Sequence, residues 1–356
     1  MAALDEAFAS GVPVTSLAPM QDVTTLPFMR LLAGTLRSTP DYFVTEFLRV
    51  HSTSLIDEDI VDCLENSPVG TPLFLQLIGE DVPALVRIAR QALSRFGIAG
   101  IDLNLGCPAP KVFKKNVGGG LLRDLPKIEK ILVALRELCS EFGKMFTVKC
   151  RVGFEDATPF PRLLELIREN RVDLLAVHGR TVRGLYRTPV DYDAIAFAVR
   201  ESACPVIANG EISSVGKAFR VREKTQCAGW MIGRHAIRNP WIFRSLREAR
   251  EGRNDIFKPR LGDVFEYICA LEKCVALPGD KPERVAARMK KFLNFIGTGV
   301  DAEGAFLYAA RRAGTPLEIL KIAERFLIAG NRSDLLFPEE PFPGIIARPN
   351  CESAGA

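Results

Sequence analysis

Short apolar runs alternate with amphipathic segments along the first two thirds of the chain. Each run ends in glycine, proline or polar residues, and apolar positions spaced three and four apart follow it, which is typical of a buried strand followed by a helix. Eight strands are predicted, at residues 16–20, 42–47, 73–79, 101–107, 146–153, 174–181, 205–210 and 229–234. Helices are predicted between them at 82–96, 125–142, 160–170 and 213–224.

Strands that are apolar throughout and separated by helices indicate a parallel sheet that is covered on its faces. Eight β/α units within the first 250 residues match a closed (β/α)8 TIM barrel, an α/β fold. An open doubly wound sheet is the alternative. It is disfavoured because Pro19-Met20-Gln21-Asp22 follows the first strand, where such folds carry a Gly-x-Gly-x-x-Gly turn.

The strand pattern stops near residue 250, and four helices are predicted beyond it, at 261–277, 281–295, 302–313 and 317–327. The sequence therefore predicts three regions. They are a TIM-barrel domain over residues 1–250, a small C-terminal helical-bundle domain over 251–336, and an irregular, proline-rich tail over 337–356.

Charge and cysteine usage narrow the class of protein. The chain carries 47 basic and 43 acidic residues, and the excess lies between Lys258 and Arg332, with 13 basic against 9 acidic residues. Nine cysteines make an odd count without a Cys-x-x-Cys pair, so neither disulfides nor structural zinc are expected. The sequence has no run of about 20 apolar residues and no basic, apolar leader, which predicts a cytoplasmic protein without a membrane segment.

Polar residues gather where the predicted strands end, and barrels of this type build their sites there. Lys149 and Arg151 stand inside an apolar strand, where a cation is unfavourable unless an acceptor meets it. A bound cofactor would supply that acceptor. Pairing with Glu46 or Glu211 is the alternative.

Two other strand ends suit a phosphate. Asn209-Gly210 and Gly233-Arg234 each precede a helix, so their glycines let backbone N–H groups approach an anion and Arg234 adds charge. Ordinary turn chemistry is the alternative. His178 ends the sixth strand, where it is either a buried structural residue or a hydrogen-bonding partner for an electron-rich ring. No second ligand at metal spacing accompanies it, so no metal site is expected.

Cys107 differs from most of the other cysteines, which lie in apolar runs and are interpreted as small core side chains. It follows the fourth strand in a Gly-Cys-Pro turn, ahead of a basic loop with Lys111, Lys114 and Lys115. A thiol with an ordinary pKa of about 8.5 is mostly protonated at neutral pH, so it can serve as an acid or, after deprotonation, as a nucleophile. The acid is favoured because no Cys/His/Asn arrangement accompanies it.

The motifs at successive strand ends resemble those of the tRNA-dihydrouridine synthases over most of the chain. They are Ala18-Pro19-Met20, Thr45-Glu46-Phe47-Leu48-Arg49-Val50, Asp102-Leu103-Asn104-Leu105-Gly106-Cys107-Pro108, Val148-Lys149-Cys150-Arg151, His178-Gly179-Arg180-Thr181, Asn209-Gly210-Glu211-Ile212 and Gly233-Arg234-His235-Ala236. The second and sixth look most like the bacterial DusC-like branch, which acts on uridine 16 of the D loop. One segment departs from the family pattern. Many relatives carry a glycine after the Tyr-x pair, whereas this chain reads Leu185-Tyr186-Arg187-Thr188-Pro189.

The resemblance implies an FMN-binding barrel, NADPH as the reductant and a helical domain that helps to hold tRNA. It implies that hydride reaches C6 of a uracil while Cys107 protonates C5, and that Lys149 stabilises the negative charge of the reduced flavin. The residues implied to surround FMN are Pro19, Met20, Gln21, Gln76, Lys149, His178, Asn209, Gly210, Glu211, Gly233 and Arg234.

The resemblance also implies contacts between the barrel and the D arm of tRNA, and we expect the protein to act as a monomer. On the helix predicted at 281–295, cations recur at i, i+4 and i+7 (Arg284, Arg288 and Lys291) beside Lys290, which places them on one helix face. A solvated face is the alternative. The residues assigned to tRNA are Arg49, Asn104, Arg151, Arg180, Tyr186, Arg284, Arg288 and Lys290.

Two other functions stay open. A flavin barrel acting on a free pyrimidine, as in dihydroorotate dehydrogenases, is disfavoured by the basic helical appendage. A non-catalytic RNA-binding protein is disfavoured because Cys107 and Lys149 are both present.

Overall fold

The structure is a computed structural model that describes residues 2–347, with the backbone alone for Ala2, Ala3 and Asp5. Its strands are β1 (Val14–Leu17), β2 (Phe43–Val44), β3 (Leu48–Arg49), β4 (Leu73–Ile78), β5 (Gly100–Leu105), β6 (Met145–Arg151), β7 (Leu174–His178), β8 (Val206–Asn209) and β9 (Gly229–Ile232).

All strand pairs are parallel, in the order β1-β9-β8-β7-β6-β5-β4-β2, and β3 also pairs with β4. A bridge between Ser16 and Tyr42 brings β1 beside the segment that leads into β2. The sheet is therefore a nearly closed barrel. The predicted (β/α)8 fold is confirmed, and the open doubly wound alternative is wrong.

The second predicted strand, 42–47, forms as the two short pieces β2 and β3. Between them the hydroxyl of Thr45 accepts a hydrogen bond from the backbone N–H of Gln76 at 3.0 Å and donates one to the carbonyl of Glu46 at 2.8 Å. The Thr45 hydroxyl thus takes the place of a backbone carbonyl as the acceptor for Gln76. The continuous strand that was predicted is interrupted at this point.

The eight predicted helices all form and begin and end close to their predicted positions, and the structure adds helices that were not predicted. Several start after an aspartate that accepts a hydrogen bond from the N–H three residues on, as Asp81 and Asp124 do at 3.0 Å. The helices are α1 (Ala2–Ala9), α2 (Leu26–Ala33), α3 (Glu58–Asn66), α4 (Val82–Arg95), α5 (Pro110–Phe113), α6 (Leu125–Glu141), α7 (Phe160–Glu169), α8 (Tyr192–Glu201), α9 (Val215–Thr225), α10 (Arg234–Arg238), α11 (Ile242–Arg250), α12 (Leu261–Val275), α13 (Pro282–Ile296), α14 (Ala305–Arg312) and α15 (Pro316–Leu327), with 3₁₀ helices at Gly118–Arg123 and Gly297–Gly299.

The described chain divides into two compact units. The barrel unit contains residues up to 24, 40–212 and 216–232, and the helical unit contains 25–39, 213–215 and the residues from 233 onward. Residues 233–250 therefore group with the helical unit. The domain bounds 1–250, 251–336 and 337–356 stay a prediction.

The apolar interior of the barrel unit extends to the amino ends of its strands. One buried cluster there includes Val14, Tyr42, Phe74 and Met231, and the apolar side chains of α1, with Leu4 buried, pack against it. Helix α1 leads directly into β1, so it covers the amino ends of the strands. Any site for polar chemistry in the barrel is consequently left at the carboxyl ends.

The helical unit has an aromatic core. Phe28 of α2 lies 5.4 Å from Phe292 of α13, and Trp241 lies 5.9 Å from Tyr267 of α12, measured between ring centroids. These pairs stabilise the bundle through burial and favourable ring geometry. No helix in the described part of the chain is long and apolar enough to cross a membrane.

The described part of the tail, residues 337–347, contains neither helix nor strand. Its first residues are held by Arg238, a buried side chain of α10. The Arg238 guanidinium lies 4.7 Å from the centre of the Phe337 ring and donates to the carbonyl of Glu339 at 2.9 Å. The tail is therefore anchored within the helical unit; residues 348–356 lie outside the described range.

Candidate active site

Cys107 lies just beyond the carboxyl end of β5 and is half-buried. Its backbone N–H and that of Gly106 both donate to Oδ1 of Asn104, at 3.0 Å each. Asn104 belongs to β5 itself, so the strand fixes the start of the loop that carries the thiol. We call residues 106–108 the cysteine turn.

A chain of buried polar side chains continues from Asn104 into the barrel. Nδ2 of Asn104 donates to Oε1 of Gln76 at 2.8 Å, and Nε2 of Gln76 donates to Oδ2 of Asp102 at 2.7 Å. The Thr147 hydroxyl donates to the other oxygen of Asp102 at 2.6 Å. Burial raises the pKa of Asp102, and the two hydrogen bonds oppose that shift. An ionised carboxylate only accepts, so Asp102 sets which way both amides face.

The thiol of Cys107 is held in its protonated form. Burial raises its pKa, against a smaller opposite effect of a hydrogen bond from the backbone of Ala109 and of the charges of Arg151 and Lys149. A protonated thiol can donate a proton, whereas nucleophilic attack needs the thiolate. The surroundings of Cys107 therefore favour an acid.

Lys149 points from β6 into the same region and is half-buried. Loss of hydration and then the neighbouring Arg151 cation lower its pKa to about 8. Within the described residues its amine makes no hydrogen bond or ion pair, and the carboxylate of Glu211 pairs with Arg180 instead. Lys149 therefore forms no ion pair with Glu46 or Glu211 in the described part of the chain, although the charge of the buried Asp102 opposes the fall in its pKa.

Arg151 ends β6 and is only 2% exposed. Its Nε donates to the carbonyl of Gly106 at 3.1 Å, and its Nη1 donates to the carbonyls of Thr181 and Leu185 at 2.8 and 2.9 Å. Backbone carbonyls thus supply acceptors for this cation. Its contact with tRNA stays a prediction.

Arg180, just after β7, is also buried. Its Nη2 pairs with the carboxylate of Glu211 and its Nε donates to the carbonyl of Thr188, while Nη1 is buried without a hydrogen-bond partner among the described residues. An orphaned guanidinium N–H is unfavourable unless a ligand meets it. This feature fits an anionic cofactor; the predicted contact of Arg180 with tRNA stays a prediction.

The ends of β7 and β8 form a close backbone approach. Gly210 has φ +123°, and a Cβ placed there would lie 3.1 Å from Nε2 of His178 and 2.9 Å from Val190, so only glycine fits. The amide of Asn209 donates to the carbonyl of Met231 on β9 at 2.7 Å. His178, Asn209 and Gly210 thus lie close together, and the ring of Tyr186 lies 6.2 Å from that of His178; their contacts with FMN stay predictions.

The remaining predicted cofactor residues stand at other strand ends. Pro19 and Met20 are half-buried after β1, and Gln21 is exposed. Gly233 and Arg234 follow β9 in sequence and belong to the helical unit. Contacts of these residues with FMN stay predictions. No group of three or more histidine, cysteine, aspartate or glutamate side chains in the described chain is placed to hold a metal ion.

The predicted tRNA residues of α13 differ in their surroundings. Arg284 is exposed and Lys290 is half-buried. Arg288 forms an ion pair with Asp280 and donates to the carbonyl of Val275 at 2.7 Å, so its charge is partly neutralised within the bundle. Arg49, at the end of β3, is half-buried. The sequence spacing alone could not distinguish the engaged cation from the others.

Fold and site together define a barrel enzyme that presents a protonated thiol and a half-buried lysine at the carboxyl ends of its strands. The family model described as dihydrouridine synthase (Dus) matches residues 16–301, and the chain belongs to this family. The predicted resemblance is thereby confirmed. A dihydroorotate dehydrogenase-like barrel is not supported.

Several curated proteins are similar to the chain. A probable tRNA-dihydrouridine synthase of Helicobacter pylori is 38% identical over 265 residues, covering 74% of this chain and 77% of the relative. A tRNA-dihydrouridine(16) synthase of Haemophilus ducreyi is 31% identical over 294 residues, with coverages of 80% and 86%. A tRNA-dihydrouridine synthase B of Pseudomonas aeruginosa is 35% identical over 235 residues, with coverages of 65% and 68%.

Proposed function

We propose that this protein is an FMN-dependent tRNA-dihydrouridine synthase that uses NADPH to reduce the C5–C6 double bond of a D-loop uridine. We propose uridine 16 as the target, because two strand-end motifs look most like the DusC-like branch and because two relatives are named as tRNA-dihydrouridine(16) synthases. The observation that carries the proposal is a protonated thiol, Cys107, at the same end of the barrel as the Lys149 amine, which makes no hydrogen bond or ion pair within the described residues.

Three features of the barrel unit suit FMN. Among the residues that the structure describes, neither the amine of Lys149 nor Nη1 of Arg180 has a hydrogen-bond acceptor, and an anionic, electron-rich ligand would provide one. Gly210 leaves its backbone open to close approach. Lys149, His178, Asn209, Gly210 and Glu211 are the residues of this unit best placed to hold the cofactor. FMN, when bound, supplies the hydride that C6 of the uracil receives.

The chain's own residues supply the rest of the chemistry. The S–H bond of Cys107 breaks as the C5–H bond of the uracil forms, and solvent then restores the thiol proton. Lys149 would offset the negative charge of the reduced flavin, which the interior of the barrel would otherwise solvate poorly. The target base must leave its stack, which costs a few kcal/mol and is easiest in a flexible loop. The D loop offers such a base.

The cofactor is tested by reconstitution. Purified protein mixed with FMN and then desalted should retain a visible flavin spectrum, which NADPH bleaches without oxygen. Protein that keeps no flavin would contradict the FMN proposal. Flavin that NADH bleaches and NADPH does not would contradict the choice of reductant.

Affinity for FMN should depend on the charge of Lys149. Its amine is charged below a pKa of about 8 and neutral above it, so binding of an anionic ligand should weaken as pH rises through 8 and beyond. Lys149→Met should weaken binding roughly 10- to 100-fold at pH 7 and flatten this dependence. Quenching of FMN fluorescence measures both. The control is Lys130→Met on the exposed side of α6. If FMN affinity depends on pH equally in Lys149→Met and in the wild type, Lys149 is not part of the site.

The helical unit should contribute electrostatically to tRNA binding. The double change Arg284→Glu and Lys290→Glu should weaken tRNA binding and reduce the slope of log K against log salt by about two, since two phosphate contacts are lost. Arg288 is left intact because it pairs with Asp280. Filter binding at several salt concentrations gives the slope. The control is the double change Lys127→Glu and Lys130→Glu on α6. If the α13 and α6 variants show the same slope of log K against log salt, α13 is not part of the interface.

A further inference from the structure

Residues 181–188, which we call the mouth loop, are held in a defined conformation beside the cysteine turn. The backbone N–H groups of Val182 and Arg183 donate to the carbonyls of Gly153 and Phe154, at 2.9 and 3.0 Å. Leu185 has φ +49°, a left-handed conformation that costs about 1–2 kcal/mol for a residue other than glycine. Contacts elsewhere must hold this residue in place.

Arg151 provides such a contact and joins the mouth loop to the cysteine turn. The Arg151 guanidinium bonds to both segments. Its Nη1 donates to the carbonyls of Thr181 and of the strained Leu185, and its Nε donates to the carbonyl of Gly106. Hydrogen bonds from a charged donor are about twice as strong as neutral ones. The two segments are far apart in sequence and share one buried side chain.

Tyr186 is the aromatic residue of the mouth loop. Its ring centre lies 5.4 Å from the Arg151 guanidinium and 6.2 Å from the ring of His178, and the residue is half-buried. Aromatic side chains stack on unpaired bases of RNA in many complexes, and Tyr186 is one of the residues assigned to tRNA. The loop that would meet RNA is therefore bonded to the same side chain as the turn that carries Cys107.

We propose that Arg151 is a positioning residue that couples the mouth loop to the cysteine turn, so that the seating of RNA on Tyr186 sets the placement of the Cys107 thiol. The role of RNA rests on the proposed function, whereas the coupling itself is a property of the free protein. Arg151 then acts on the thiol through backbone carbonyls; its predicted contact with tRNA is a separate prediction.

The test measures the rate at which iodoacetamide alkylates Cys107, followed by mass spectrometry of the peptide that contains it. Arg151→Lys keeps the positive charge but cannot reach three carbonyls at once. The alkylation rate, taken at its high-pH limit to remove differences in thiol pKa, should rise several-fold. Tyr186→Ala should raise it too, but should add little in the Arg151→Lys background.

The matched control is Arg136→Lys. Arg136 also donates to backbone carbonyls, those of Arg171 and Lys144, but these lie ahead of β7 and β6, at the other end of the barrel. Its variant should leave Cys107 alkylation unchanged. Equal rates in Arg151→Lys and wild type, or additive effects of Arg151→Lys and Tyr186→Ala, would overturn the coupling.

If Arg151→Lys does not fold, Tyr186→Ala and Leu185→Gly probe the same coupling with the guanidinium in place, and an unchanged alkylation rate in both overturns it. In the dihydrouridine assay, Arg151→Lys should lower kcat more than it raises KM, and a rise in KM alone overturns the positioning role. Alkylation needs no tRNA, so failure of the proposed function would leave this readout intact.

Discussion

Cys107→Ala should lower the rate of dihydrouridine formation by about 10²- to 10⁴-fold, the usual contribution of a positioned general acid. The change removes the proton donor and leaves the proposed flavin contacts, Lys149 and Gly210, in place. The variant should therefore still bind FMN and still be reduced by NADPH. Single-turnover measurement of dihydrouridine in tRNA, alongside the flavin spectrum, separates the two steps.

Cys204→Ala is the matched control for this variant. Cys204 is likewise half-buried, but it precedes β8 and so lies at the amino ends of the strands. Its variant should react at the wild-type rate. A Cys107→Ala protein that reacts at the wild-type rate would show that C5 takes its proton from elsewhere.

Asp102→Leu should give the second large effect. It removes the acceptor that Gln76 and Thr147 use, and an unsatisfied buried polar group costs about 1–3 kcal/mol, so the free energy of unfolding should fall by at least that amount. The orientation of Asn104 is then no longer fixed, and the rate of dihydrouridine formation should drop roughly tenfold or more in the folded fraction. Urea unfolding and single-turnover kinetics measure the two effects.

Asp102→Asn tests the direction of the hydrogen-bond chain. Asparagine can donate as well as accept, so it can satisfy Gln76 and Thr147 while leaving the amide orientations unspecified. Asp81→Asn, which keeps the cap on α4, is the control and should be close to neutral. If Asp102→Asn matches wild type in both stability and rate, the charge of Asp102 does not order the site.

The barrel could be predicted because its signal is local. Each strand is a short apolar run and each helix repeats at three and four, so the order of elements follows from the chain itself. The predicted ends of the strands were less accurate. The strand predicted at 101–107 ends at Leu105, because the Asn104 side chain accepts a hydrogen bond from the backbone N–H of Gly106 and starts a turn. The split at Thr45 likewise depends on a side chain that replaces a backbone partner.

The candidate site could be predicted only in part. Lys149 and Cys107 were found because a cation in an apolar strand and a thiol in a glycine-proline turn are unusual locally. The partners of Arg151 and Arg180 were not found, because a backbone carbonyl of a distant loop leaves no mark in the sequence. The pairing of Arg180 with Glu211 also needed the fold, since the sequence offered Lys149 and Arg151 as partners for that carboxylate.

The most direct test of the central claim is the position of dihydrouridine in tRNA. Unmodified tRNA is incubated with FMN-loaded protein and NADPH, and the modified nucleotide is mapped by mass spectrometry of nuclease fragments. The proposed function predicts dihydrouridine in the D loop, at position 16, formed about 10²- to 10⁴-fold more slowly with Cys107→Ala. Flavin-loaded wild-type protein that forms no dihydrouridine at any position would contradict the proposed function.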